Sequence, residues 1–109
     1  ASSEGGITEN AIIIATRSIS IGDDFLGSWN LYITDSDHHR YGEANPPEPV
    51  SIGHHVWLCP ETSVMKGAHI GRDSVVAQRA VVLKGDYPEA SLIAGVPGKR
   101  IGAAKAWRR

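Results

Sequence analysis

Aliphatic side chains recur at every sixth position through the second half of this chain, and this period limits its possible folds more than any other feature. Six such residues follow one another without a break: Ile52, Leu58, Val64, Ile70, Val76 and Val82. The residues four places after them are mostly small: Val56, Thr62, Ala68, Ser74, Ala80 and Asp86. Because four is an even number, both sets share one strand face, and we predict that both point inward.

The positions two residues after each aliphatic residue indicate where the chain turns. A continuous alternating strand would bury these positions too, yet they are His54, Pro60, Lys66, Arg72, Gln78 and Lys84. Short strands with a corner every six residues are typical of a parallel β-helix of hexapeptide repeats. We therefore predict an all-β fold in which each side of a coil is one hexad. The N-terminal half carries the period less cleanly, at Ala15, Ile21, Gly27 and Ile33.

Composition agrees with this fold and excludes several classes of protein. Isoleucine and valine total 19 against 5 leucines, and β-branched side chains favour strands over helices. A net charge of -1 predicts no nucleic-acid partner and no attraction to an anionic membrane. No apolar run is long enough to span a bilayer, and the single Cys59 cannot form an internal disulfide. We expect one cytoplasmic domain over residues 1–109, and the absence of an initiating methionine leaves open that it is the C-terminal part of a longer chain.

The period is interrupted once. The spacing from Ile33 to Ile52 is not a multiple of six, and a polar, proline-bearing segment at about 38–49 lies between them. Loops that leave a rigid repeat scaffold often form sites, so we expect chemistry at the base of this one. After Gly102 a short C-terminal capping segment is expected, as a helix that covers the open end of the coil.

Five segments carry a resemblance to a known family: Ile21-Gly-Asp-Asp, Ile33-Thr-Asp-Ser-Asp-His-His, Ile52-Gly-His-His-Val-Trp, Lys66-Gly-Ala-His-Ile-Gly and Ile93-Ala-Gly-Val-Pro-Gly-Lys. Together they resemble the hexapeptide-repeat O-acetyltransferases, a group that includes galactoside, maltose and polysaccharide O-acetyltransferases. The resemblance implies a left-handed parallel β-helix assembled as a homotrimer, with acetyl-CoA bound in grooves between subunits. It also implies transfer of an acetyl or related acyl group to a hydroxyl of a sugar or polysaccharide, with no metal.

The inserted loop supplies two candidates for a general base. A hydroxyl is a poor nucleophile until a base removes its proton, and histidine can do so near neutral pH. The family's Ser-Asp-x-His pattern places the base at His39, whereas the galactoside acetyltransferase pattern places it at His38. We favour His39. Asp35 or Asp37 would accept a hydrogen bond from the other ring nitrogen, and the sequence leaves open which one does.

The resemblance also implies a set of residues that bind the coenzyme: Trp57, Gln78, Arg79, Lys84 and Lys99. Trp57 would line the groove near the thioester, and the lysines suit phosphate groups. The chain has Gln78-Arg79-Ala80 where the family usually has Ala-Gly-Ser. We also expect one extra residue in the coil near Gly85.

Two other functions are kept as alternatives. The altered groove residues would allow a catalytically silent trimeric β-helix that serves as an assembly subunit. Five histidines would allow a zinc enzyme of the γ-carbonic-anhydrase type, which needs three ligands converging between subunits. Tightly bound metal would favour the second alternative.

Overall fold

The chain is described by a computed structural model over residues 6–7, 11–15, 18–36 and 46–107. The described residues contain no helix, and hence none that could cross a membrane. Their strands are short, as the corners predict. In chain order they are β1 (Gly6–Ile7), β2 (Ile12–Ile14), β3 (Ile19–Ile21), β4 (Leu26–Gly27), β5 (Tyr32–Thr34), β6 (Val50–Ile52), β7 (Trp57–Leu58), β8 (Ser63–Val64), β9 (Ala68–Ile70), β10 (Val75–Val76), β11 (Val81–Val82), β12 (Gly85–Tyr87), β13 (Ser91–Ala94) and β14 (Lys99–Ala103).

The strands form three sheets that are the faces of one coil. Face A has the order β1-β4-β7-β10-β13-β14, face B has β11-β8-β5-β2, and face C has β12-β9-β6-β3. Each coil passes from A to B to C, and the chain turns at the A–B, B–C and C–A corners. Strands of successive coils pair in parallel, so that Leu58 lies beside Val76 and Val64 beside Val82. The predicted parallel β-helix is confirmed.

The corners depend on one residue in the left-handed backbone region. That residue lies three places after the inward aliphatic one, so the positions repeat with the hexad. Among the described corners glycine occupies only two, which means that the others hold a side chain in a conformation that usually favours glycine. The corner residues with positive φ are Asp24, Asn30, His55, Glu61, Gly67, Asp73, Arg79, Gly85 and Ala90.

The core contains the residues that the period assigned to it. All six aliphatic residues from Ile52 to Val82 are buried, as are Val56, Thr62, Ala68, Ser74 and Ala80. Asp86 is the exception and is exposed. The reason is a register change, since Val64 pairs with the residue three hexads later, Val82, whereas His69 pairs with Asp86, one position short of three hexads. The coil near Gly85 is therefore one position shorter, and the expected extra residue is wrong.

The inserted loop leaves the β-helix at the B–C corner of the second coil, between β5 and β6. Ile33 pairs with Val64 in the next coil, and the loop lies in the sequence between them. Their sequence separation is much longer than the three hexads from Val64 to Val82, so the loop lengthens that coil. Its two stems meet where the Glu48 N–H donates a hydrogen bond to the Asp35 carbonyl oxygen at 2.9 Å. Residues 37–45 lie outside the described residues.

The helix expected after Gly102 is wrong for the described residues, since β14 ends at Ala103 and residues 104–107 are irregular. The end of face A is covered by β14 instead. β14 pairs antiparallel with β13 and continues face A. An unpaired strand edge exposes backbone donors and acceptors, and a returning strand satisfies them directly, which a helix packed over the end would not do. Beyond β14, the Trp107 ring stacks on the His55 ring, with centroids 3.9 Å apart and planes 4° from parallel.

Candidate active site

Face B is bordered on both sides by residues that the sequence assigned to coenzyme binding. Gln78 and Arg79 form the A–B corner just before β11, and Lys84 lies at the B–C corner just after it. Between these corners the outward side chains of face B include Tyr32, Ser63 and Val81, which are in register on neighbouring strands and half-buried. The fold thus brings three of the five predicted coenzyme residues to the edges of one surface.

Arg79 does not fold across this surface. Its backbone takes the left-handed conformation (φ 66°), which the family's glycine would adopt without strain. The Arg79 Nε donates to Glu61 Oε1 at 3.2 Å, and Gln78 Nε2 donates to the same oxygen at 3.4 Å. Glu61, one coil earlier, holds both side chains along the corner. The Arg79 side chain remains 76% exposed, so its terminal nitrogens are accessible to a phosphate group.

Lys99 lies on face A, directly after a turn that packs on β11, the last strand of face B. The turn from Gly95 to Gly98 packs on the edge of β11, where Val81 N–H donates to the Gly95 oxygen at 3.1 Å. Gly98 N–H donates to the Val81 oxygen at 2.7 Å. Lys99 follows this turn as the first residue of β14 and is exposed. A fourth predicted residue is therefore near face B.

The B–C corner connects this face to the inserted loop. Lys84 Nζ lies 2.8 Å from Glu48 Oε2, and Glu48 belongs to the returning stem of the loop. β5, a strand of face B, ends at Thr34 and is followed directly by the departing stem. The loop that contains His38 and His39 consequently originates at the edge of face B, although His38, His39 and Asp37 themselves lie outside the described residues.

Asp35 acts as a structural anchor at the base of the loop. It is fully buried, and its Oδ2 accepts a hydrogen bond from the Ser18 N–H of the first coil at 2.7 Å. Beside it the Thr34 hydroxyl donates to the Ser36 oxygen at 3.0 Å and accepts from the Ser36 N–H at 3.2 Å. These bonds fix the direction in which the chain leaves the helix.

Trp57 lies apart from the other predicted coenzyme residues. It is on β7 of face A, where its Nε1 donates to Ser28 Oγ at 3.4 Å and its ring is 5.9 Å from that of Trp107. One chain therefore does not bring Trp57 to face B.

The histidines at the C–A corner are engaged with acidic residues and the backbone. His55 Nδ1 lies 3.0 Å from Asp73 Oδ1 and its Nε2 lies 3.7 Å from Asp24 Oδ2, while His54 Nδ1 accepts from the Asp23 N–H at 2.8 Å. Over the ranges that the structure describes, no three His, Cys, Asp or Glu side chains converge to hold a metal ion.

The single cysteine lies at the A–B corner beside Glu61. Burial raises the pKa of the Cys59 thiol, so the thiol stays protonated near neutral pH. A protonated thiol is a poor nucleophile, which does not favour an acyl-cysteine intermediate.

Sequence reasoning missed Glu48 and Glu61, which hold Lys84 and Arg79. A signal was present for one of them, because Glu61 precedes Arg79 by three hexads, the length of one regular coil. No such signal existed for Glu48, since the loop changes the count.

Comparison with known proteins shows what the chain resembles in sequence and fold. No protein-family model matches it. It is 34% identical over 103 residues to WbbJ of Escherichia coli K12, whose assignment as a lipopolysaccharide biosynthesis O-acetyl transferase is provisional. That match covers 82% of this chain and 52% of WbbJ. It is also 29% identical over 93 residues to galactoside O-acetyltransferase of the same organism, covering 81% of this chain and 45% of that protein.

The structure matches that of the polySia-specific acetyltransferase NeuO with a TM-score of 0.83 and 25% identity, over 99% of this chain and 51% of NeuO. In sequence and fold the chain is similar to the hexapeptide-repeat O-acetyltransferases. Its β-helix is accordingly left-handed, as the resemblance implied. The hexapeptide-repeat acetyltransferase VCA0836 of Vibrio cholerae, solved with acetyl coenzyme A, shares the fold with a TM-score of 0.60 and 18% identity, over 94% of this chain and 73% of VCA0836. The chain spans about half the length of the curated relatives it matches.

Proposed function

We propose that this hexapeptide-repeat chain transfers an acetyl group from acetyl-CoA to a hydroxyl of a sugar or polysaccharide in the cytoplasm. One observation carries the proposal: Gln78, Arg79 and Lys84 border face B from both corners, and the histidine-bearing loop starts at the edge of that same face. Acetyl-CoA would lie along face B as the acyl donor. Its phosphates would meet Arg79, Lys84 and Lys99, and its thioester would point toward the loop.

The proposed reaction is direct transfer with His39 as the general base. The base takes the proton of the acceptor hydroxyl as its oxygen attacks the thioester carbonyl carbon. The tetrahedral intermediate then collapses, the carbon–sulfur bond breaks, and the coenzyme leaves as a thiol after receiving the proton. The products are an acetyl ester and coenzyme A. His38 is the second candidate for the base, and a backbone N–H would stabilise the oxyanion.

The two aspartates have different roles in this proposal. Asp35 is buried and bonded to Ser18, so it would position the loop that contains the base. Asp37 is then the better candidate to accept a hydrogen bond from the histidine ring and fix its tautomer. The proposed site uses no metal.

A trimer would explain the position of Trp57. Within one chain Trp57 lies on face A, whereas Gln78, Arg79 and Lys84 border face B. In a homotrimer face A of one subunit would approach face B of the next, and Trp57 would then line the neighbour's groove. The outward residues of face A include Leu26, Val75 and Leu92, which suit such a contact.

Calorimetric titration of acetyl-CoA into the purified chain tests the donor site. We expect binding at one site per subunit, weakened about tenfold or more by Arg79→Ala, because a hydrogen bond to a charged group contributes about 1.5–3 kcal/mol. Arg72→Ala is the matched control. Arg72 is also an exposed corner arginine whose Nε donates to a glutamate of the neighbouring coil, Glu89, at 3.1 Å, but it lies at the C–A corner.

The base is tested by turnover of His39→Ala and His38→Ala with coenzyme binding measured on the same samples. We expect His39→Ala to lower turnover about 10²- to 10⁴-fold while coenzyme binding is retained. A folded trimer that binds no acetyl-CoA would contradict the proposal and support the silent assembly subunit. Loss of turnover in His38→Ala alone would move the base to His38.

A further inference from the structure

A polar pocket lies on the face C side of the B–C corner, next to the base of the inserted loop. It has a volume of about 280 Å³ and opens on face C. Its lining draws on three successive coils: the loop stem in the second, the Gly67–His69 segment in the third and the Lys84–Asp86 segment in the fourth. The polar side chains are those of Glu48, His69, Lys84 and Asp86.

One wall of the pocket contains the ion pair of Lys84 and Glu48. Gly67 makes this pair possible, because a Cβ there would lie 2.9 Å from both Glu48 Oε2 and Lys84 Cγ. Two backbone bonds support the wall, from Gly67 N–H to the Glu48 oxygen and from Gly85 N–H to the Gly67 oxygen, each 3.2 Å. The pocket is therefore shaped before any ligand arrives, which lowers the cost of binding.

The other wall is formed by His69 and Asp86, which belong to a row of side chains across face C. Ser51, His69 and Asp86 are partners in register on β6, β9 and β12, and all three point outward. The Ser51 Oγ and His69 Nδ1 are hydrogen-bonded at 2.8 Å. This bond orients the ring, and either tautomer leaves His69 Nε2 for a ligand, as a donor or as an acceptor.

The polar groups of the pocket suit a sugar. The carboxylates of Asp86 and Glu48 accept hydrogen bonds and His69 can donate or accept, while each sugar hydroxyl needs both kinds of partner. One lysine against two carboxylates leaves a net charge of -1 when His69 is neutral. An anionic sugar would be repelled, so the pocket favours neutral or amino sugars.

We propose that this pocket binds a second sugar unit of an oligomeric, uncharged acceptor whose reacting hydroxyl is at the loop. The inference rests on the proposed function, because it is the transferase reaction that makes the ligand an acceptor. It adds the acceptor class: an oligosaccharide or polysaccharide without carboxylates, in contrast to the polySia that NeuO is named for.

Ligand-observed NMR titration of the whole chain, without coenzyme, tests the pocket directly. The probes are galactose, β-1,4-linked galactotriose and a trimer of sialic acid. We expect galactotriose to bind more tightly than either of the others. His69→Ala and Asp86→Ala should each weaken galactotriose binding about three- to tenfold, the loss of one hydrogen bond.

Ser20→Ala is the control, since Ser20 is exposed in the same row, in register with Ser51, but lies outside the pocket. Equal galactotriose affinity in the His69 and Asp86 variants, tighter binding of the sialic acid trimer, or no galactotriose binding by the unaltered chain would each overturn the inference. Failure of the proposed function is distinguishable, because it would appear as absent acetyl-CoA binding in the separate calorimetric titration.

Discussion

Glycines form a column at the C–A corner, where the close approach of successive coils leaves no room for a Cβ atom. Gly22, Gly53 and Gly71 follow the last inward residue of face C in successive coils, and each lies against the backbone of the next. A Cβ on Gly53 would lie 2.6 Å from the Arg72 nitrogen, 2.9 Å from the Arg72 Cα and 3.1 Å from the Gly71 carbonyl carbon. These are backbone atoms, so no side chain can rotate away to make room.

The magnitude follows from this contact. Overpacking a well-packed site costs about 1–3 kcal/mol, and a clash with fixed backbone falls at the upper end of that range. We therefore expect Gly53→Ala to lower the free energy of unfolding by about 2–3 kcal/mol. For a domain of this size, about 1 kcal/mol shifts the melting temperature by about 4–8 °C, so the expected decrease is about 10–20 °C.

Gly102→Ala provides the control for the same substitution. Gly102 is in β14 at the edge of face A, and a Cβ there meets no atom within 4 Å. Thermal and urea unfolding followed by circular dichroism would compare the two variants, and we expect Gly102→Ala to change stability by less than about 0.5 kcal/mol. If Gly53→Ala melted within a degree or two of Gly102→Ala, the close stacking of coils at this corner would be refuted.

Three further predictions concern single polar groups. Thr62→Val should raise the free energy of unfolding by about 1 kcal/mol in urea titration, because the buried Thr62 hydroxyl has no hydrogen-bond partner among the described residues; a loss of stability would show that it is bonded. Asp35→Ala should lower stability by about 1–3 kcal/mol in the same assay, since it leaves the Ser18 N–H without its acceptor; unchanged stability would contradict the anchoring role. Burial raises the pKa of Cys59 above its usual value, so iodoacetamide at mildly alkaline pH should alkylate the native chain more slowly than the urea-unfolded chain. The pKa of this thiol is higher in the folded state than in the unfolded state. Its contribution to the free energy of unfolding is therefore complete below the unfolded-state pKa and is lost as the pH rises through the folded-state pKa. Equal alkylation rates would contradict the burial.

Much of the local structure could be predicted from the sequence, because each hexad states which residues point inward. Val64 and Val82 are buried because both occupy the inward position of a hexad. Arg72 and Gln78 lie at corners because both come two residues after that position. The inward set, the corners and the position where the loop interrupts the coil all depend on neighbours only a few residues apart. Such patterns can therefore be recognised in a short stretch of sequence without knowledge of the rest of the chain.

The partners across coils were decided only by the tertiary structure. Which residue lies beside which depends on the length of a whole coil, and that length is three hexads at Val64, one position less at His69 and much more across the loop. A change of one position at Gly85 placed Asp86 outside, and the loop stem brought Glu48 to Lys84.

The tertiary structure also decided the conformation of the C-terminal segment and the position of Trp57. Residues 99–103 form a strand because the edge of β13 offers unpaired backbone groups, which no local pattern in this segment records. Trp57 does not border face B because it lies on face A, before the A–B corner, whereas Arg79 belongs to that corner. The hexad period thus determines whether a side chain faces the core or the solvent, whereas the summed lengths of the coils determine which side chains meet.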